Sequence, residues 1–333
     1  MADSTNTTEK NLVQTIHDTL FDEMKRDDRV VVLGEDVGAR GGVFRVTMGF
    51  LDEFGDERVI DTPLDEALIA GVGIGLALDG MRPVAEMQFA DFSFPGFNQI
   101  VQEAARIRYR SNGDFSVPMV IRAPWGGGVH GALYHSQSVE AFYAHVPGLK
   151  VVVPSTPYDA KGMLIQAIED EDPVLYLEHK KTYRLIKGEV PDERYTVPFG
   201  KAEVRREGAD LTAISYGLMH HFCVEAAERL SSDGIEVEVV DLRSIFPLDI
   251  DTVLESVGKT SKAMVVYEDN KFLGVGAEVA AQIAEHAMFE LDAPIKRIAG
   301  PHVPAMPYAP TLEHWFMPNV DSLEQEMRKL AEF

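Results

Sequence analysis

The sequence of 333 residues holds one cysteine, Cys223, and is short of cations. A single thiol excludes an internal disulfide, a thiolate metal site and a CxxC redox pair, so Cys223 is expected to be a small core residue on a helix. Lysine and arginine number 31 against 54 aspartates and glutamates, for a formal net charge of -23. Such a chain repels phosphate backbones and anionic membranes, which makes nucleic acid and lipid surfaces poor partners; a basic protein partner or a high-salt cytoplasm fits the charge. No apolar run reaches the length of a membrane span, and the opening "MADSTNTTEK" lacks the apolar block of a secretion signal. A cytoplasmic location is expected, with residues 1–10 a disordered tail. No GK[ST] follows the glycine runs Gly126 to Gly128 and Gly274 to Gly276, so neither is a P-loop.

What is present is enough apolar residue, 45%, for packed cores in two domains. Short apolar runs such as "RVVVLGED", "RPVAEMQF", "VPMVIRAP", "LKVVVPS" and "PVLYLEH" alternate with helix-length amphipathic stretches. That alternation predicts an α/β fold, a parallel sheet with helices on both faces, over residues 11–185. In such sheets ligands gather at the carboxyl ends of strands, where Gly34 to Asp36, Gln88 to Phe92 and Pro124 to Ser138 all fall. Residues 186–200 are polar and proline-marked, as in a linker. A second alternating series predicts a smaller α/β domain over residues 201–333.

The segment "TPLDEALIAGVGIGLALDG", Thr62 to Gly80, reads as a helix without a polar side chain from Ala67 to Leu78. Thr62 is placed as its N-cap, Pro63 as the first helical residue and Asp65 as the acid that reaches back. Glu66 is left over, with no role in helix chemistry beyond favouring the positive end of the dipole. Gly71, Gly73 and Gly75 each weaken a helix by about 1 kcal/mol relative to alanine, a cost tolerated where backbones pack very close. The helix is therefore expected deep in an interior or an interface. A carboxyl there is pushed toward its neutral form and becomes able to exchange a proton near neutral pH.

His135, in "LYHSQS", precedes a helix that Ser136 or Ser138 could cap. A loop histidine serves as a local hydrogen-bonder or as an acid-base group, its unperturbed pKa lying near working pH. His130 invites a metal reading, but no acid or thiol in the motif completes one. Gln88, Phe89 and Phe92 leave a strand and enter a loop, either as an edge amide with core aromatics or as a pocket wall.

The stretches "VVLGEDV", "GGVFRVTMGF", "DTPLDEALIAGVGIGLAL", "EMQFADFSFPGFNQIVQEAARIRYRS", "APWGGGVHGALYHSQSVEAFYAHVPGLKVVVPSTPYDAKGML", "AIEDEDPVLYLEHK" and "VVDLRSIFPLD" resemble the beta subunit of the thiamine-diphosphate-dependent decarboxylating component of 2-oxo acid dehydrogenase complexes. The likeness runs in order from about Asn11 to the C-terminus. It implies a pyrimidine-binding domain followed by a transketolase-type C-terminal domain. It also implies that Glu66 hydrogen-bonds the ring nitrogen of the cofactor's aminopyrimidine and promotes the imino tautomer that deprotonates the thiazolium carbon. His135 would assist proton movement or acyl transfer to a lipoyl group. The main chain at Leu64, with Gln88, would face the pyrimidine, and Phe92, commonly tyrosine in relatives, would line the pocket without a hydroxyl. Glu35 would join a buried acidic network linking sites. Carbonyls of segments matching Val117, Met119, Val120, Ala167, Asp170 and Asp172 hold a monovalent cation, potassium, in relatives; "AIEDED" also reads as a solvated helix end.

The same resemblance exposes a gap. Thiamine diphosphate enzymes hold the diphosphate through Mg2+ with GDG followed by NN, and the Gly-Asp pieces at Gly55 and Gly113 lack the flanking glycine and downstream asparagines. The implied assembly is an alpha2beta2 heterotetramer in which an alpha subunit supplies Mg2+ and the diphosphate grip, with the acidic C-terminal half docking on a basic module of the lipoyl acyltransferase core. The function implied is oxidative decarboxylation of pyruvate or a branched-chain 2-oxo acid with reductive acylation of lipoyl. An acetoin dehydrogenase beta subunit, a self-sufficient transketolase-like enzyme and a non-catalytic scaffold are the alternatives.

Overall fold

A computed structural model describes residues 6–333. The chain divides into two compact units, one running up to Trp125 and continuing over Phe142–Phe199, the other made of Gly126–Ala141 and Gly200–Phe333. Among the described residues no helix is long and apolar enough to cross a membrane.

The first unit carries β1 (Thr7–Asn11), β2 (Val30–Gly34), β3 (Val59–Asp61), β4 (Arg82–Glu86), β5 (Val120–Trp125), β6 (Lys150–Val152), β7 (Val174–His179) and β8 (Lys187–Pro191). Six of these lie side by side in the order β6-β7-β5-β4-β2-β3, every pair parallel. Strands β2, β5 and β7 are buried at every residue, which is why they read as continuous apolar runs rather than alternating ones. Helix Leu12–Arg26 opens with a capping box between Asn11 and Gln14, and helix Pro157–Glu169 is capped by Thr156. Their apolar faces join the core through Leu12, Ile16, Leu20, Met163 and Leu164 against Val32, Val84, Val120 and Tyr176.

The second unit holds β9 (Glu203–Arg206), β10 (Leu211–Ser215), β11 (Val237–Asp241), β12 (Ser244–Phe246), β13 (Ala263–Asn270) and β14 (Lys296–Gly300). Its sheet runs β14-β13-β10-β11-β9, parallel except for the edge strand β9. Cys223 is fully buried on helix Gly217–Ser231, and burial pushes its thiol up to about 12, so it is a packing residue.

Several local expectations are corrected. Residues 1–5 of the expected tail lie outside the described residues, and Thr7–Asn11 is a strand, antiparallel to β8. β8 itself occupies part of the stretch expected as a linker. Each strand is too polar to announce itself, and each exists because the other supplies its hydrogen bonds. The helix after Thr62 begins later than expected, at Glu66, with Asp65 rather than Thr62 as N-cap. Pro63 disfavours helical backbone at Thr62 and keeps the approach extended. Within this chain the helix buries the face with Ile69, Ala70, Gly73 and Ile74, while Leu68, Val72 and Leu78 on it and Leu64 before it are exposed.

Candidate active site

The carboxyl ends of β2, β3 and β4 place the first set of side chains. The Thr62 N–H donates to the Gly34 carbonyl at 3.0 Å, tying the approach to helix Glu66–Leu78 onto the end of β2. Asp65 accepts from the Leu68 N–H at 3.0 Å, a cap worth about 1 kcal/mol. Glu66 is then the first helical residue, 6% exposed, at the positive end of the dipole. The loop after β4 is seated on the same helix end: a Cβ added at Gly96 would stand 2.8 Å from the Glu66 carbonyl. That loop brings Phe92 and Phe89, edge to face at 5.6 Å, with Gln88 beside them, all half-buried. The Leu64 side chain is exposed.

Glu35, just past β2, is as buried as Glu66, and its Oε1 has no hydrogen-bond partner. Burial first, then the charges of Glu66 and Asp36, push the Glu35 carboxyl above its ordinary range. The fold thus favours protonated Glu35, so the associated stability is full below the ordinary carboxylate pKa and lost as pH rises through the higher folded value. Glu35→Gln mimics the protonated form at every pH. Its stability relative to the parent should therefore rise from about pH 4 to about pH 8 in denaturant titrations. A difference that stays flat across that range would contradict the buried, charge-coupled placement of Glu35.

Beneath these loops lies a buried ion triad that sequence reasoning missed. Arg122 of β5 is fully buried, donating through Nε and Nη2 to Glu178 of β7 at 2.6 and 2.8 Å and through Nη1 to Glu86 of β4 at 2.7 Å. The Tyr183 hydroxyl donates to Glu178 at 2.6 Å. The triad clamps three neighbouring strands: Glu86 is the last residue of β4, Glu178 the last but one of β7, and Arg122 stands three residues before the end of β5. Its sequence signal was a charged residue inside each of the runs "RPVAE", "VIRAPW" and "VLYLEH".

His135 belongs to the second unit, on the loop Gly126–Ala141, half-buried just after the turn Ala132–Tyr134. The expected caps are absent: neither the Ser136 nor the Ser138 hydroxyl has a hydrogen-bond partner. Past His135 the fully buried Glu140 accepts from the Tyr216 hydroxyl at 2.9 Å. Burial and the nearby Asp269 raise Glu140 well above the carboxylate range, and burial raises Asp269 to about 6. His130 pairs through Nδ1 with the buried Glu313 at 2.5 Å. Among the described residues no cluster of three or more histidine, cysteine or acidic side chains could hold a metal.

The six residues implied for a cation fall within the first unit. Asp170 takes Lys150 Nζ at 2.6 Å and Asp172 takes Arg108 at 2.7 Å, so their carboxylates already face cations. The Val117 and Met119 carbonyls each accept one N–H, from Met119 and Val174, which leaves each a second lone pair. Val120 lies in β5, and Ala167 in the last turns of helix Pro157–Glu169. Only main-chain oxygens of this set remain as donors.

Residues 9–186 match the family model "Transketolase, pyrimidine binding domain", and residues 200–323 match "Transketolase, C-terminal domain". The chain is 62% identical over 321 residues to the 2-oxoisovalerate dehydrogenase subunit beta of Bacillus subtilis (strain 168), spanning 96% of this chain and 98% of the relative. It is 49% identical over 322 residues to the pyruvate dehydrogenase E1 component subunit beta of the same strain, spanning 97% and 98%. A solved structure titled "Split gene transketolase, inactive beta4 tetramer" shares the fold at a TM-score of 0.78 and 22% identity, over 97% of this chain and 98% of that one.

Proposed function

Because the chain belongs to the beta-subunit family of 2-oxo acid dehydrogenase E1 components, built from transketolase pyrimidine-binding and C-terminal domains, we propose that it works with an alpha subunit in the thiamine-diphosphate-dependent oxidative decarboxylation of a branched-chain 2-oxo acid. Identity of 62% to a 2-oxoisovalerate dehydrogenase subunit against 49% to a pyruvate dehydrogenase subunit favours the branched substrate. The observation that carries the reading is the pair of buried carboxyls, Glu66 and Glu35, at the carboxyl edge of the first sheet, the second with an unpartnered oxygen.

These residues fit an aminopyrimidine. When bound, thiamine diphosphate supplies an electron sink at its thiazolium ring. Glu66 holds and exchanges a proton at the pyrimidine ring nitrogen, at the favourable end of a helix and shielded from water. Glu35 keeps a second proton beside it and extends the acidic network. Phe92 and Gln88 wall the pocket, and the Leu64 main chain faces the ring. His135 moves a proton near the reacting carbon or during acyl transfer to lipoyl. Mg2+ and the diphosphate fall to the alpha subunit, since no GDG and NN pair exists in this chain. A potassium ion among the carbonyls of Val117, Met119, Val120, Ala167, Asp170 and Asp172 belongs to the same reading. So do an alpha2beta2 assembly, docking of the acidic surface on the acyltransferase core, and a cytoplasmic location.

The exposed stripe Leu64, Leu68, Val72 and Leu78, with Gly71 and Gly75 between, is the surface we assign to the alpha subunit. A Cβ at Gly75 would meet nothing within 4 Å, so the helix is open there to a close neighbour. Co-expression with the alpha subunit should give activity highest with branched 2-oxo acids over pyruvate and acetoin, and the chain alone should be inactive. Val72→Glu should leave the fold intact yet abolish co-purification of the alpha subunit and with it turnover. An unaltered complex from that variant would remove the stripe from the interface, and activity of the chain alone would revive the transketolase-like alternative.

A further inference from the structure

We propose that Glu313 is a positioning residue for His135: from a distant part of the chain it fixes the glycine-rich turn against which the His135 backbone packs. The proposal rests on the reading of His135 given above. Glu313 sits on helix Pro310–Phe316 with its side chain 4% exposed. Its Oε1 accepts from the Gly128 N–H at 3.0 Å and the His130 N–H at 3.1 Å, while Oε2 faces His130 Nδ1 at 2.5 Å. Glu268 of β13 accepts from the Gly127 N–H next to them. Three main-chain N–H groups and one imidazole of a single turn therefore end on two buried carboxylates.

The turn needs such a fastening. Gly126 and Gly128 have φ of 83° and 77°, which glycine adopts freely, but His130 and Ala132 hold φ of 57° and 55°. A non-glycine residue stays in the left-handed region only where its surroundings fix it, and His130 is fixed at both its N–H and its ring. Successive inward N–H groups form a concave anion site, here filled by the chain's own acids rather than by a ligand. The fastening reaches His135 through one residue. At Gly131 a Cβ would stand 2.6 Å from the His135 carbonyl and 2.8 Å from its Cβ, so turn and histidine are in contact without slack. On the far side the Gly126 N–H donates to the Gln137 carbonyl at 3.2 Å and closes the loop. A shift at Gly128 or His130 thus displaces His135.

The test uses the co-assembled enzyme with Glu313→Ala, Glu313→Gln, His135→Ala and the Glu313→Ala/His135→Ala double variant. Amide hydrogen exchange in residues 126–141 should rise on the order of tenfold in Glu313→Ala while the strands β10 and β11 keep their protection. The kcat for lipoyl acylation should fall by about tenfold or more with KM for the 2-oxo acid within about twofold of the parent. Glu313→Gln keeps an oxygen for both N–H groups and should recover most of the loop order; it also serves if the alanine variant does not fold. The double variant should be no slower than His135→Ala, because both lesions act through one imidazole. Unchanged exchange in Glu313→Ala, or losses that simply multiply in the double variant, would overturn the proposal. Full turnover by His135→Ala would instead sink the reading of His135 on which it rests.

Discussion

Glu66→Gln is expected to lower decarboxylation by the assembled enzyme on the order of 10²-fold or more while alpha-subunit binding and the melting curve stay close to the parent. The amide keeps the size and one acceptor of the carboxyl but cannot exchange its proton. Assembly should survive because Glu66 is on the buried side of the helix end, away from the exposed stripe, and because the cap is made by Asp65. Glu66→Asp retains the acid on a shorter stem and should fall between the two. Glu35→Gln preserves the protonated form that the fold already favours, so its loss should be much smaller. Measuring 2-oxo acid turnover with an artificial electron acceptor separates this step from acyl transfer. Near-parental turnover in Glu66→Gln would leave the chain a scaffold rather than a catalytic partner.

Arg122→Ala is expected to destabilise the first unit by about 3–5 kcal/mol, the cost typical of stripping one member from a buried ion cluster. It leaves Glu86 and Glu178, 4% and 0% exposed, without the guanidinium that both face. Burial already raises the Glu86 carboxyl even with Arg122 beside it. Without the guanidinium the Glu86 carboxyl favours protonation more strongly in the fold, so the deficit should be largest near neutral pH and shrink as pH falls toward the ordinary carboxylate range. Replacing all three by apolar residues of similar volume should cost far less than the single change. Urea unfolding across pH would show this pattern. A single-variant loss below about 1 kcal/mol, of the size of an exposed pair, would mean that the triad is not the buried clamp described.

Much of this was legible because apolar periodicity acts locally. Parallel strands buried on both faces must be continuous apolar runs, so β2, β5 and β7 could be read directly. Glu66 stood out as a carboxyl with no local task before a helix of small apolar residues. Strands β1 and β8 were illegible because their partner lies almost the whole first unit away in sequence and neither has an apolar pattern. The start of the helix at Glu66 was misplaced by three residues because Asp65 and Thr62 are both good caps, and the bond from Thr62 to Gly34 decides between them.

By itself, then, the sequence determined the two α/β domains, a carboxyl at a helix mouth without a capping role, and the lack of a GDG and NN pair. Only the tertiary structure decided that Glu35 stands beside Glu66, that Arg122 locks three strands below their loops, and that Glu313 grips the turn leading to His135. The reason is physical: hydrophobic pattern and chain stiffness are properties of neighbouring residues, whereas a buried charge is tolerable only with a partner that folding brings from elsewhere.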